Sequence, residues 1–153
     1  MTIEQRLRRV ESRLALQELA ARYCLAIDDQ DYAALARLFH AEAVMPIGGR
    51  EVRGRAAVVD ALRERRGPDG RSVHTPDAIV LHELGEDHAA GTVLAHVEMG
   101  VGDTTHFGAL RYADRYIRQD DEWLFLRREM TVVHMGPWPD VAGSLTPEPD
   151  AGP

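Results

Sequence analysis

Four residues in this chain have the types needed to move protons or steady charge: Tyr23, Asp28, His74 and Arg128. Asp28 directly follows the apolar run Leu25-Ala26-Ile27, at the expected end of a helix with buried neighbours. A carboxylate there needs a partner, because an unpaired buried charge is costly. Local backbone amides are one such partner, since Asp favours turns and caps. Tyr23, on the same helix, reads by itself as a core aromatic with its hydroxyl near the surface. His74 sits in Arg71-Ser72-Val73-His74-Thr75-Pro76, just after a turn and where a strand begins. Alone it reads as a half-buried imidazole bonded to backbone. Arg128 lies in Trp123-Leu124-Phe125-Leu126-Arg127-Arg128-Glu129-Met130. Strict alternation along that strand puts Leu124, Leu126, Arg128, Met130, Val132 and His134 on one side. Arg128 is then a cation among mostly apolar neighbours, and it needs an anion, either a carboxylate or a bound substrate. His96 and His134 fall within apolar strand runs and, with Met130, are candidates to line a pocket. His40, His82, His88 and His106 read as surface or rim residues.

Other chemistries find less support. The zincin pattern H-E-x-x-H is absent: His82-Glu83 is followed by His88, two residues too far. No two His are separated by a single residue, the spacing that puts two ligands on one strand face. No metal is expected. There is no G-x-S-x-G elbow for a serine hydrolase and no G-x-G-x-x-G fingerprint for a dinucleotide, so no cofactor is expected either. The single Cys24 lies in an apolar helical stretch and reads as a packing residue. All 18 basic residues are Arg, which excludes lysine Schiff-base chemistry and a P-loop lysine. A formal charge of −7 argues against a nucleic-acid or anionic-membrane surface. The first residues show no signal-peptide pattern and no run is apolar enough to span a bilayer, so a cytoplasmic protein is expected.

The elements that must position these residues follow from periodicity. At 153 residues and 44% hydrophobic, the chain has the size and composition of one domain. Thr2 and Gln5 fit a capping box. Ile3, Leu7, Val10 and Leu14 repeat at helical spacing, and Leu16, Leu19, Ala20, Tyr23 and Ile27 continue an apolar face displaced around the axis. Asp28-Asp29-Gln30-Asp31 breaks the helix, and Asp31 caps a second one bearing Tyr32, Leu35, Ala36 and Phe39. A short strand over residues 44–47 ends at Gly48-Gly49. A third helix covers Arg55–Arg66 and closes at Gly67-Pro68-Asp69-Gly70. Strands are expected over Ser72–Leu84, 90–101, 105–119 and 123–133, with turns at Glu86-Asp87 and Asp120-Asp121. Helices followed by long antiparallel strands make an α+β pattern. A strongly curved sheet folded around the helices would leave one apolar pocket at its open end. Residues 1–135 are read as the domain, and residues 136–153, rich in Pro, Gly and Asp, as an extended or partly disordered tail.

Three stretches together resemble a known family. They are Glu18-Leu19-Ala20-Ala21-Arg22-Tyr23; then Ala26-Ile27-Asp28-Asp29-Gln30-Asp31-Tyr32 with Leu35-Ala36-Arg37-Leu38-Phe39; and Tyr112-Ala113-Asp114-Arg115-Tyr116-Ile117-Arg118 leading into Trp123. They look like the SnoaL-like group of the nuclear transport factor 2-like superfamily, over about residues 4–135. The resemblance implies a cone in which N-terminal helices pack in a curved, mixed but mainly antiparallel sheet around an apolar pocket. Within the superfamily the pattern is similar to scytalone dehydratase, lindane dehydrochlorinase and bile-acid 7α-dehydratase, which use an Asp–His dyad. Asp28 and His74 fall at the matching places. Tyr23 matches the Tyr of the bile-acid enzyme, where the dehydrochlorinase has a Lys. Arg128 looks like the dehydrochlorinase's Arg on the last strand.

What the resemblance implies is a cofactor-independent lyase, a dehydratase of a hydrophobic hydroxylated carbonyl compound such as a steroid, polyketide or aromatic ring system. In that mechanism Asp28 orients His74 as the base, Tyr23 polarises the carbonyl or protonates departing hydroxide, and Arg128 stabilises negative charge. The same fold also hosts polyketide cyclases, ketosteroid-type isomerases and non-catalytic small-molecule binders, and these remain the alternatives. The resemblance further implies a homo-oligomer, trimer or dimer, with a small-molecule substrate and no nucleic-acid or membrane partner.

Overall fold

Helix α1 (Ile3–Asp28) starts at a complete capping box: the Thr2 hydroxyl accepts from the Gln5 amide, and the Gln5 side chain accepts from the Thr2 amide. A computed structural model describes residues 1–67, 70–143 and 145. After α1 come α2 (Tyr32–Arg37), β1 (Phe39–Ile47), β2 (Arg50–Arg53) and α3 (Arg55–Arg66). The long strands follow: β3 (Ser72–Leu84), β4 (His88–Val101), β5 (Thr104–Gln119) and β6 (Glu122–Pro137), then a helical turn α4 (Trp138–Val141). The sheet runs β2-β1-β6-β5-β4-β3; β1 and β6 are parallel and every other neighbouring pair is antiparallel. It is open, mixed and interrupted by bulges, which bend strands. Helices α1, α2 and α3 lie on its inner side, giving the expected α+β cone.

The main core joins Leu16, Leu19, Tyr23 and Ile27 of α1 to Phe39, Ala43 and Met45 of β1, Val58 and Leu62 of α3, and Tyr116, Trp123 and Phe125 of β5 and β6. A second cluster, Ala20, Val93, Ala95, Val97, Leu110 and Tyr112, lies beside it.

The structure corrects the sequence reading in several places. Ile3, Leu7, Val10 and Leu14 keep the helical spacing but lie outside the core, 82%, 56%, 52% and 60% exposed. The helix carries two apolar faces, and only the second meets the sheet. Phe39 opens β1 rather than riding on α2, because the helix tightens at Leu38 and the Leu38 carbonyl then accepts from the Phe125 amide on β6. The strand expected over 44–47 does end at Gly48-Gly49, but it starts earlier, at Phe39, and the two glycines form the loop of a hairpin to β2, both with positive φ (59° and 78°), as a two-residue hairpin turn demands. In β6 the alternation slips at Leu126, the extra residue between the pairs Arg115–Arg127 and Tyr116–Phe125. Trp123 and Phe125 therefore share the inner side with Arg128, in place of Leu124 and Leu126. The first residues of the expected tail belong to the fold, since β6 runs to Pro137 and Val141 of α4 is buried. Residues 68–69, 144 and 146–153, with the rest of the tail expectation, lie outside the described residues.

Candidate functional site

The last residue of α1 meets the first residues of β3. Asp28 Oδ1 lies 2.7 Å from His74 Nδ1, and Asp28 Oδ2 accepts the His74 backbone N–H at 2.7 Å. Strand β3 is an edge of the sheet, so its outer amides have no neighbouring strand. One of them is used here to grip the carboxylate. Asp28 Oδ1 also accepts from the Ser72 hydroxyl at 2.5 Å, and Ser72 Oγ in turn accepts from Arg66 Nη1 at 2.6 Å. Arg66 ends α3, and its Nε donates to the Gly70 carbonyl, as does the Gln30 side chain. Ser72 and His74 are two apart on a strand and so point the same way.

This arrangement answers an electrostatic difficulty. A carboxylate at a helix C-terminus opposes the helix dipole. Three donors, backed by the Arg66 cation, hold Asp28 in place. The side chains of Asp28 and His74 are 16% and 12% exposed.

The geometry also sets the imidazole tautomer. A carboxylate only accepts, so His74 Nδ1 carries the proton and Nε2 is bare in the neutral ring. Burial pushes the His74 pKa below its ordinary value, against the opposing pull of the Asp28 hydrogen bond and charge; the Arg66 and Arg128 cations add to the depression. The His74 ring is therefore neutral at neutral pH. Its register partner on β4 is Val97, which belongs to the apolar second cluster, and Met130 packs against the same cluster. Val97 and Met130 are thus parts of one apolar cluster beside the start of β3.

Arg128 is 1% exposed and faces inward. Its anionic partner is Asp114, its register neighbour on β5, with Nε to Oδ1 at 3.2 Å. The Tyr116 hydroxyl donates to Asp114 Oδ2 at 2.9 Å. The guanidinium lies over the rings of Tyr112, Tyr23 and Phe125 at 3.9, 4.1 and 4.4 Å. Its Nη1 is buried and has no hydrogen-bond partner among the described residues. Tyr23 is itself buried in edge contact with Phe39, Tyr112 and Phe125. Burial raises its pKa far above the ordinary phenol value, so its hydroxyl stays protonated. Cys24 is buried and burial pushes its thiol up to about 11, consistent with a packing residue.

Two expected pocket residues point elsewhere. His96 lies next to inward Val97 and therefore faces out, where it pairs with Asp77 at 2.6 Å. His134 pairs with Ala109, past a second slip of register at Val133, and lines an outer groove with His96, Glu98, Phe107 and Trp138. Neither is part of the Asp28–His74 site. Ser72 and Arg66 were not anticipated. Among the described residues no three His, Cys, Asp or Glu side chains converge as a metal set. No helix there is long and apolar enough to cross a membrane.

Comparison with known proteins agrees with this fold. The profile of the SnoaL-like domain family matches residues 8–129. No curated protein matches the chain significantly. Among solved structures, a hexachlorocyclohexane dehydrochlorinase (LinA, type 2) superposes with a TM-score of 0.78 at 21% identity, over 86% of this chain and 91% of that one. A Mycobacterium tuberculosis protein of unknown function gives 0.72 at 28% identity, over 86% and 76%. A scytalone dehydratase-like protein from Novosphingobium aromaticivorans gives 0.72 at 21% identity, over 84% and 87%.

Proposed function

This chain belongs to the SnoaL-like domain family, and on that premise we propose that it is a cofactor-independent lyase that dehydrates a hydrophobic, hydroxylated carbonyl compound. The observation that carries the proposal is the 2.7 Å contact of Asp28 Oδ1 with Nδ1 of a His74 that burial keeps neutral. Solved relatives that include a dehydrochlorinase and a scytalone dehydratase-like protein are in keeping with elimination chemistry.

In the proposed reaction His74 Nε2 takes a proton from the carbon next to the substrate carbonyl. The electrons of that C–H bond form an enolate, then a C=C bond as the C–O bond to the β-hydroxyl breaks. The departing hydroxide takes the proton back from the His74 imidazolium and leaves as water. The ionised Asp28 stabilises the imidazolium while it exists. Tyr23 stays protonated, so its part is to donate a hydrogen bond to the carbonyl rather than to act as a phenolate. The Arg128 charge is already balanced by Asp114, but its Nη1 and Nε are both buried without a hydrogen-bond partner among the described residues. A buried donor without an acceptor costs about 1–3 kcal/mol, and a substrate oxyanion would supply that acceptor. The apolar residues near the dyad, Val97, Leu110, Tyr112 and Met130, favour a hydrophobic substrate such as a steroid, polyketide or aromatic compound.

An isomerase or cyclase that uses Asp28 alone as the base has less support, because both carboxylate oxygens are already engaged by protein donors. The test is a panel of hydrophobic β-hydroxy ketones and esters, followed by ultraviolet absorbance of the conjugated product. Conversion should be lost in Asp28→Asn and His74→Gln with unchanged far-UV circular dichroism. Conversion that survives in the double variant would sink the proposal.

A further inference from the structure

The N-terminal half of α1 carries an apolar face that the fold leaves uncovered. Ile3, Leu7, Val10 and Leu14 are all more than half exposed, while Ser12, Leu16 and Leu19 of the same helix are buried. At about 100° per residue the two sets fall on opposite sides of the helix axis. The stripe therefore points directly away from the sheet.

Its spacing of four, three and four residues is that of a coiled-coil seam. With Ile3 and Val10 as d and Leu7 and Leu14 as a, the flanking charges are sorted by sign. Glu4, Glu11 and Glu18 occupy e, and Arg6 and Arg13 occupy g. All five are exposed.

We infer that this stripe is a homotypic docking surface, on which α1 of a second copy of the chain packs in parallel. The charges select the occupant and its direction. In a parallel pair a g residue faces the e residue five positions later on its partner. Arg6 then meets Glu11, and Arg13 meets Glu18. In an antiparallel pair g faces g and e faces e, setting Arg against Arg and Glu against Glu. A helix of the same sequence matches both flanks at once. Glu18 also binds Arg22 of its own helix at 2.5 Å, so it is shared between two arginines and the Arg6–Glu11 pair is the stronger discriminator. Leu at a with Ile or Val at d favours three or more strands over two. The helix is preformed by its capping box and its buried opposite face, so little ordering opposes association.

The test uses sedimentation velocity on the whole chain over its soluble concentration range. The wild type should self-associate. Leu7→Glu/Leu14→Glu should raise the dissociation constant on the order of 100-fold or more, from the lost apolar burial. Arg6→Glu/Arg13→Glu should weaken association, and adding Glu11→Arg/Glu18→Arg to it should restore association. Ile3→Cys should crosslink to itself under mild oxidation, as a parallel seam requires. All these positions are exposed, so far-UV circular dichroism should not change. A wild type that stays monomeric overturns the inference. So does an oligomer that ignores the leucine and charge variants, which would place the interface elsewhere, or one in which Ile3→Cys fails to crosslink.

Discussion

Replacing Asp28 by Asn exchanges one oxygen for an NH₂ group and removes one charge, yet it should silence His74. In the wild type, Oδ2 accepts the His74 amide and Oδ1 accepts both the Nδ1 proton and the Ser72 hydroxyl. Asn can keep the amide bond through its carbonyl oxygen. Its NH₂ group then faces Ser72 and His74 Nδ1, and a donor cannot receive the Nδ1 proton. The ring must move that proton to Nε2, the nitrogen assigned to the base. Losing a positioned base costs roughly 10²–10⁴-fold in rate, or about 3–5 kcal/mol of barrier at 25 °C. The loss should appear in kcat with KM little changed, because Asp28 touches no substrate. The assay is the steady-state rate on a converted panel compound, alongside thermal melts to confirm the fold. An Asn variant within a few-fold of wild-type kcat would refute the reasoning about the tautomer.

Further predictions concern the groups around the dyad. The pKa of His74 is depressed in the folded state, so the unfolded chain binds the extra proton first as pH falls. Its contribution to stability should be complete above the ordinary value of 6.5 and should be lost as pH falls through the folded pKa; Tm against pH should show this slope, and His74→Gln should remove it. The kcat/KM profile should have its acid limb below the same value. Tyr23→Phe should lower kcat by roughly 10²-fold if its hydroxyl holds the carbonyl, with little change in Tm; an unchanged kcat would make Tyr23 a packing residue. Arg128→Met should destabilise the fold by about 3–5 kcal/mol, because it strands the buried Asp114 carboxylate; Asp114→Asn/Arg128→Met should recover part of that in denaturant titrations. Equal losses in the single and double variants would mean that ring packing, not charge, holds Arg128.

Much of the fold was legible because local signals agreed with it. The capping box at Thr2, the helix Arg55–Arg66 and the strand Ser72–Leu84 stand where periodicity and turn residues put them. The errors share a cause: periodicity reports that a face is apolar, not what covers it. Ile3, Leu7, Val10 and Leu14 satisfy the helical pattern as well as Leu16, Leu19 and Tyr23 do, yet only the second set meets the sheet. The slip at Leu126 has no Gly or Pro to mark it and follows from pairing with β5. Gly48-Gly49 was a hairpin signal read only as a stop. The meeting of Asp28 and His74 across 46 residues depends on how α1 ends against the sheet edge, which no local string encodes. Ser72 had a usable signal, being two residues before His74 on one strand. Arg66 had none, because its role arises from the placement of the end of α3 beside β3.

The protonation state of His74 tests the central claim most directly, and it needs no substrate. Long-range ¹H–¹⁵N spectra of the imidazoles, with His74 assigned by its loss in His74→Gln, report both ring nitrogens separately. Near neutral pH the geometry predicts a neutral ring with its proton on Nδ1 and a bare Nε2. A ring protonated on Nε2, or an imidazolium at that pH, would contradict it and leave His74 without the lone pair that the elimination requires.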